Sequence, residues 1–535
     1  MTGFSEHGAR RDRRAWWLFF AMFLLLAAGS RGTISNIDTQ IRYMVAWRIY
    51  DDASVHPHPD ELLATGGEFA TGRHGDPVSP YGLGQSITML PAVAMADVGS
   101  KLAPAESRAE IRYLAGQFIY KTLFLPLWGA LAAVSLFTLA RRFGLDPRAA
   151  IMTALAATLG TFWWYYAKTI GHGLEVTTLL LAALALWREP LSTRRTVAIG
   201  GLFGLSLLYR MDFLIPVAAI TAWAAFRWGI RERRFSTLAA FVLPIFFCGL
   251  AVLWHNYERS GSILEAGYSG ALENAERAMF AQFPGQHLLT ILFGWTRGFL
   301  WFSPIFFAAV LLPFCRRERS IAVGPRVLLG AGAIVASYAL FVASLDLAPR
   351  VGGWGQRYLL PITPFLVLGL AIGLRPLIER PRFRAALASF VFMNITLQGA
   401  LTFFDHIEGQ RQTGAVIAAA EASERPDAAP TGWRATEWAA ALRNWGVPLG
   451  DSAAVLEAWA KPEITALRTS ITDNLWWLKL AAKTRGAKAL LIRVVGGGLL
   501  LIAGLAFAVL WRGSIRRGNR TEPESLHTPM GAQHG

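Results

Sequence analysis

Apolar runs separated by short arginine-bearing connections repeat along almost the whole chain. Runs of about 17 to 25 residues, with some shorter, have the length at which a helix crosses a bilayer. They fall near 15–30, 118–140, 149–167, 172–187, 196–211, 213–227, 236–255, 298–314, 325–345, 358–375, 385–404 and 489–512. The pattern predicts an all-α integral membrane protein with about twelve transmembrane helices. The two short runs flanking "YRMD" also read as one long tilted helix, which would change the count by one and invert the orientation of every later run. The first run, "AWWLFFAMFLLLAAGS", carries a basic flank like a signal peptide, but its bulky "WWLFF" and the many runs after it favour a retained anchor.

The connections set the orientation. With the amino terminus placed in the cytoplasm by "ARRDRR", the segments "RRFGLDPR", "REPLSTRR", "RWGIRERR", "CRRERS", "RPLIERPRFR" and the tail "RGSIRRGNR" alternate onto that same side. Each is rich in arginine, as the positive-inside rule requires. The outer side instead receives long segments at 31–117, 257–297 and 405–488, and the short "DLAPRVGGWGQRY". The chain thus divides into a basic cytoplasmic tail (1–14), a transmembrane module (15–404) with its first outer loop at 31–117, and an outer helical segment (405–488). A last transmembrane helix (489–512) and a disordered cytoplasmic tail (513–535) complete it. In the first outer loop Ile34, Ile37, Ile41, Met44 and Val45 recur at helical spacing, predicting an amphipathic helix along the outer surface with Asp38 and Arg42 on one face. In the outer segment, Trp476 and Trp477 are expected to rest on the membrane.

Composition agrees with this reading: 53% of residues are hydrophobic and 16% charged, against about 25% charged in soluble proteins. The net charge of +16 comes from arginine clusters between apolar runs, so it signals topology rather than nucleic-acid binding. Two cysteines, Cys248 and Cys315, provide neither a disulfide framework nor a metal quartet.

An ionisable side chain at membrane depth is costly and marks function by default. At the outer ends of the runs stand Asp38 and Arg42, Tyr81 in "SPYGLGQSITMLP", His172 and Glu175 in "GHGLE", and Arg210 with Asp212 in "YRMD". Arg297 in "WTRGFLWFSP", and Arg350, Trp354 and Arg357 in "APRVGGWGQRYLLP", join them at the same depth. Several arginines around one carboxylate suit a phosphate, which guanidinium binds bidentately. Each has a plainer reading too: Asp38 and Arg42 as a solvated ion pair, Arg297 and Arg350 as anchors to lipid headgroups. In "HPHPDE" the prolines splay His56, His58, Asp60 and Glu61, with His74 the one histidine nearby, so an exposed loop is expected and no metal site.

Together Asp38 beyond the first run, "SPYGLGQSITMLP", "GHGLE", "TRGFLWFSPIFFAAVLLP" and "GGWGQRYLLPITPFLVLG" resemble the bacterial membrane glycosyltransferases of the GT-C superfamily, in particular those similar to protein mannosyltransferases and aminoarabinose transferases. The resemblance covers about residues 15–404. It implies a polyprenyl-phosphate-linked sugar donor, an envelope glycan, lipid or protein as acceptor, and an acidic residue of the first outer loop at the active centre, here Asp38. The family often has two adjacent acids there, whereas this chain reads "NIDTQ"; Asp51 and Asp52 further on compete for the role of base. Relatives also tend to carry a lysine in the second loop motif, absent from "SPYGLG", which shifts phosphate binding towards Arg357, Arg210, Tyr81 and Arg297. Arg42, His172, Glu175, Trp354, Asp51 and Asp52 complete the expected substrate site. A divalent cation (Mg2+ or Mn2+) stays open as a cofactor. No Rossmann glycine fingerprint supports a nucleotide-sugar donor. The expected setting is a bacterial cytoplasmic membrane with both termini cytoplasmic and the site on the periplasmic or extracellular face. The rival readings are a transporter or flippase for a lipid-linked sugar or other anionic lipid, which would show repeats and midplane polar groups, and an envelope scaffold.

Overall fold

A computed structural model describes residues 13–34, 36–60, 70–75, 77–169, 171–188, 190–264, 283, 285–294, 298–315, 325–345, 356–402 and 475–518. The described part is a bundle of helices with one two-residue antiparallel hairpin, β1 (Ala70–Thr71) and β2 (Pro77–Val78). Helix α1 (Arg13–Ala28) leads into α2 (Ile37–Asp52), and α3 (Gly84–Ser100) follows the hairpin. A 38-residue helical run, Ala105–Arg142, contains α4 (Arg108–Ile119) and α5 (Leu125–Arg142), joined by a π-helical turn at Tyr120–Phe124.

The central helices are α6 (Pro147–Thr158), α7 (Trp163–Thr169), α8 (Gly171–Leu186), α9 (Thr193–Tyr209), α10 (Leu214–Ala224) and α11 (Phe235–Ser260). After them come α12 (Leu288–Phe293), α13 (Phe299–Phe302), a 3₁₀ segment (Pro304–Phe314) and α14 (Pro325–Ala343). A 3₁₀ turn (Arg357–Ile362) continues as α15 (Thr363–Gly373), followed by α16 (Arg375–Ile378), α17 (Pro381–Thr402), α18 (Trp476–Ala482) and α19 (Ala487–Gly518).

By length and composition, four described helices can cross a membrane, or five if α7 and α8, bent by 119°, count as one broken span. The expected count of about twelve is therefore not reproduced. The physical reason is interruption: apolar runs that look continuous in sequence are divided into shorter helices, π turns and 3₁₀ segments, such as Pro304–Phe314. α1 has 16 residues, too short for that test by itself.

Among the described residues, arginine-bearing connections meet at one end of the bundle. Arg188 and Arg195 act electrostatically on Arg142, and a side chain at Gly144 would meet the Arg375 guanidinium at 3.0 Å. Beneath them Trp187 stacks on Trp228, ring centroids 5.4 Å apart, and Arg227 lies over Trp223 at 5.5 Å. Aromatic rings under basic heads are the usual make-up of a membrane interface. Helices α8, α9, α11 and α15 all run between this end and the opposite one, where the site lies.

Candidate functional site

Helix α2 starts at Asn36, whose side chain accepts from the Thr39 amide at 3.1 Å and so caps the first turn. This cap fixes Asp38 one residue into the helix. The helix is not the surface-lying amphipathic one expected: residues 41–47 are all buried, Arg42 among them, while Ile37 is exposed. α3 and α4 enclose it. Ser86 Oγ donates to the Arg42 carbonyl at 2.8 Å, and the Tyr43 hydroxyl donates to the Tyr113 carbonyl at 2.8 Å. Over residues 41–47 the helix is buried on every side and needs no apolar stripe, which is why its pattern misleads.

Asp38 is held from two elements. The Tyr81 hydroxyl donates to its Oδ1 at 2.8 Å, and Arg357 Nη1 approaches its Oδ2 at 3.7 Å. Arg42 does not pair with Asp38 among the described residues; its guanidinium lies 3.8 Å over the Tyr81 ring. It is 4% exposed, and its Nε and Nη1 find no hydrogen-bond partner among the described residues. Tyr81, expected at the phosphate, thus uses its hydroxyl on the carboxylate and its face on a cation.

The "SPYGLG" loop reaches this place through close backbone approach. A Cβ at Gly82 would stand 2.4 Å from the Leu208 carbonyl, and one at Gly84 2.4 Å from the Tyr209 ring, so only glycine lets the loop press on the end of α9. That end presents Arg210. Its Nε donates to Asp212 Oδ1 at 3.0 Å, and Tyr338 donates its hydroxyl to Asp212 Oδ2 at 2.8 Å. Tyr358 lies between the two arginines, with Arg210 5.2 Å and Arg357 5.6 Å from its ring centroid. Arg42, Arg210 and Arg357 each act electrostatically on the His172 ring.

Glu175 sits one turn further along α8, fully buried. Its Oε1 accepts from the Tyr120 hydroxyl at 2.9 Å and from Thr88 Oγ1 at 3.2 Å, and Gln85 Nε2 donates to the Tyr120 oxygen at 2.8 Å. The π turn carries Tyr120 and Lys121 into this interior; Lys121 Nζ donates to the Thr169 carbonyl at 2.9 Å and feels Glu175 electrostatically.

Asp38, Arg42, Tyr81, His172, Glu175, Arg210 and Arg357 therefore lie around one centre. Asp51 and Asp52 do not join it. They stand at the exposed far end of α2, about 20 Å along the axis from Asp38 at 1.5 Å per residue, where Asp51 pairs with Arg112 and Asp52 with Arg48. Arg297, Trp354 and Arg350 lie outside the described residues, as do Glu61, the segment 405–474 and most of both terminal tails. Trp476 and Trp477 pack on α1: their indole Nε1 groups donate to the carbonyls of Ala27 at 3.0 Å and Ala28 at 3.1 Å. His58 and Asp60 are exposed, as the loop reading expects.

Sequence reading missed four contributors. Lys121 was hidden within an apolar run, although a lysine there is itself a signal. Tyr338 had no signal. His255 and Arg259, in the last turns of α11, hold the Tyr81 loop: His255 Nε2 meets the Tyr81 carbonyl at 3.3 Å and Arg259 Nη1 donates to the Ser79 carbonyl at 3.0 Å. Mg2+ and Mn2+ take several oxygen ligands. Among the described residues no three His, Cys, Asp or Glu side chains gather to provide them, and the charges nearest Asp38 are guanidiniums. The described residues do not fit such an ion.

No protein-family model matches the chain, and no curated protein matches it. Among solved structures it is similar to ArnT from Cupriavidus metallidurans bound to undecaprenyl phosphate, at 15% identity and a TM-score of 0.44, over 94% of this chain and 77% of that one. The same protein in the apo state matches at 14% identity and a TM-score of 0.44, over 95% and 78%. The archaeal oligosaccharyltransferase AglB from Archaeoglobus fulgidus, in complex with an inhibitory peptide and a dolichol-phosphate, matches at 13% identity and a TM-score of 0.41, over 74% and 56%.

Proposed function

We propose that the chain is a membrane glycosyltransferase that moves a sugar from a polyprenyl-phosphate-linked donor to an envelope acceptor on the outer face of a bacterial cytoplasmic membrane. The observation that carries this reading is the Asp38 carboxylate, bonded by Tyr81 and approached by Arg357, with the buried Arg42 over the Tyr81 ring and Arg210 on the other side of Tyr358. A buried arginine with unpartnered N–H groups is costly by itself, so Arg42 is accounted for by an anionic substrate.

The chemistry follows from the charges. The acceptor hydroxyl oxygen attacks the anomeric carbon as the bond from that carbon to the donor phosphate oxygen breaks, through an oxocarbenium-like state. Asp38 takes the hydroxyl proton as general base. Arg357, Arg42 and Arg210 meet the negative charge growing on the leaving phosphate. Tyr81 and Arg357 hold Asp38 in line, which is the positioning such a displacement needs. The arginine-rich connections at the opposite end of the bundle support an outer location for the site under the positive-inside rule.

Asp38→Asn tests this in purified protein. It is expected to lower transfer from a polyprenyl-phosphate sugar by about a thousandfold while leaving polyprenyl-phosphate binding within about threefold. Retained transfer would move the base elsewhere, and loss of binding with transfer would make Asp38 structural.

A further inference from the structure

At the arginine-rich end of the bundle, between α6, the 3₁₀ segment Pro304–Phe314, α15 and α17, lies a cavity of about 320 Å³. That is within the usual range for small-molecule sites, about 300–1,000 Å³. Its walls are apolar, with Ala156, Ala308, Leu370, Ala388 and Phe390 among them. Its charged lining residues are two arginines, Arg148 near the start of α6 and Arg384 in the first turn of α17. Neither guanidinium has an ion pair or hydrogen bond among the described residues, and no carboxylate belongs to the lining. The nearby acids are committed: Asp146 Oδ1 caps α6 through the Arg148 and Ala149 amides, and Glu379 pairs with Arg375 at 2.7 Å.

We infer that this cavity binds an anionic phospholipid of the leaflet on the arginine-rich side, one acyl chain filling the apolar slot and the phosphate held by Arg148 and Arg384. An apolar slot beside two cations without protein counter-ions has the same amphipathic order as such a lipid. Guanidinium matches phosphate oxygens geometrically, and basic pockets between helices on the cytoplasmic side suit anionic headgroups. A zwitterionic lipid brings its own cation and so adds no net negative charge to offset the two guanidiniums, whereas an anionic one does. The site is separate from the Asp38 cluster and does not depend on the reading given to it.

The test uses the full chain in nanodiscs of phosphatidylcholine containing a minor fraction of phosphatidylglycerol, followed by mild extraction and native mass spectrometry of the retained lipid. The wild-type chain is expected to retain phosphatidylglycerol selectively. R148Q/R384Q is expected to lower retention about tenfold or more. A388F, which fills the slot and leaves both arginines in place, is expected to do the same, whereas R380Q/R382Q, outside the lining, retains it. Unchanged retention in either cavity variant, or phosphatidylcholine retained as well as phosphatidylglycerol, overturns the proposal. Should one cavity variant fail to elute as folded protein, the other decides.

Discussion

Arg195 and Arg210 belong to the two ends of one helix, α9, and their surroundings differ in kind. Arg195 stands in the first turn, where its Nη1 donates to the carbonyls of Arg188 at 3.0 Å and Pro190 at 3.4 Å in contact with solvent. A cation at a helix N-terminus opposes the macrodipole, so it does not serve the helix. Arg210 closes the other end, paired with Asp212 and flanked by Tyr358. The same residue type is solvated and bound to carbonyls at one end, and ion-paired beside an aromatic ring at the other. Neighbours, not residue type, identify the functional arginines.

Substitutions at both ends test that contrast. Arg357→Gln removes the guanidinium facing Asp38 and is expected to lower kcat/KM for transfer by about a hundredfold, measured with a labelled polyprenyl-phosphate sugar. A loss below about threefold would detach Arg357 from the leaving group. Arg259→Gln acts at one remove, by loosening the loop that carries Tyr81. Its expected effect is about tenfold in kcat, with Arg259→Lys recovering part of the loss through the Ser79 carbonyl; equal loss in both would point to misfolding instead. Arg195→Gln should change turnover by less than about twofold, because a solvated bond to a carbonyl contributes little. A large loss there would erase the distinction between the two ends.

How much of this was legible depends on what each residue had to do. Asp38, Arg42, His172, Arg210 and Arg357 could be found because ionisable groups at the ends of apolar runs contradict their surroundings. The close approaches at the glycines of "SPYGLG" and "GHGLE" come from the structure: a Cβ at Gly171 would meet the Tyr120 hydroxyl at 2.3 Å. Asp51 and Asp52 could not be separated from Asp38 by type, since only the length of α2 removes them from the centre. The clamp by His255 and Arg259 was illegible because both use distant backbone carbonyls, which leave no trace in residue type. The span count was out of reach for a related reason: hydropathy reports where a chain is apolar, not how it winds, and the wholly apolar Pro304–Phe314 segment forms a 3₁₀ helix.

The two tryptophans on α1 bear on how the chain is assembled. The last carbonyls of a helix have no partner within it; that of Ala27 accepts from the Ser30 amide at 3.3 Å, and both it and that of Ala28 also accept from indoles 449 residues later in the chain. Helix α1 is thus completed only after synthesis has reached Trp477. Because α2 and Asp38 come directly after that helix, a chain truncated before Trp476 would leave the earliest hinge of the protein unlatched.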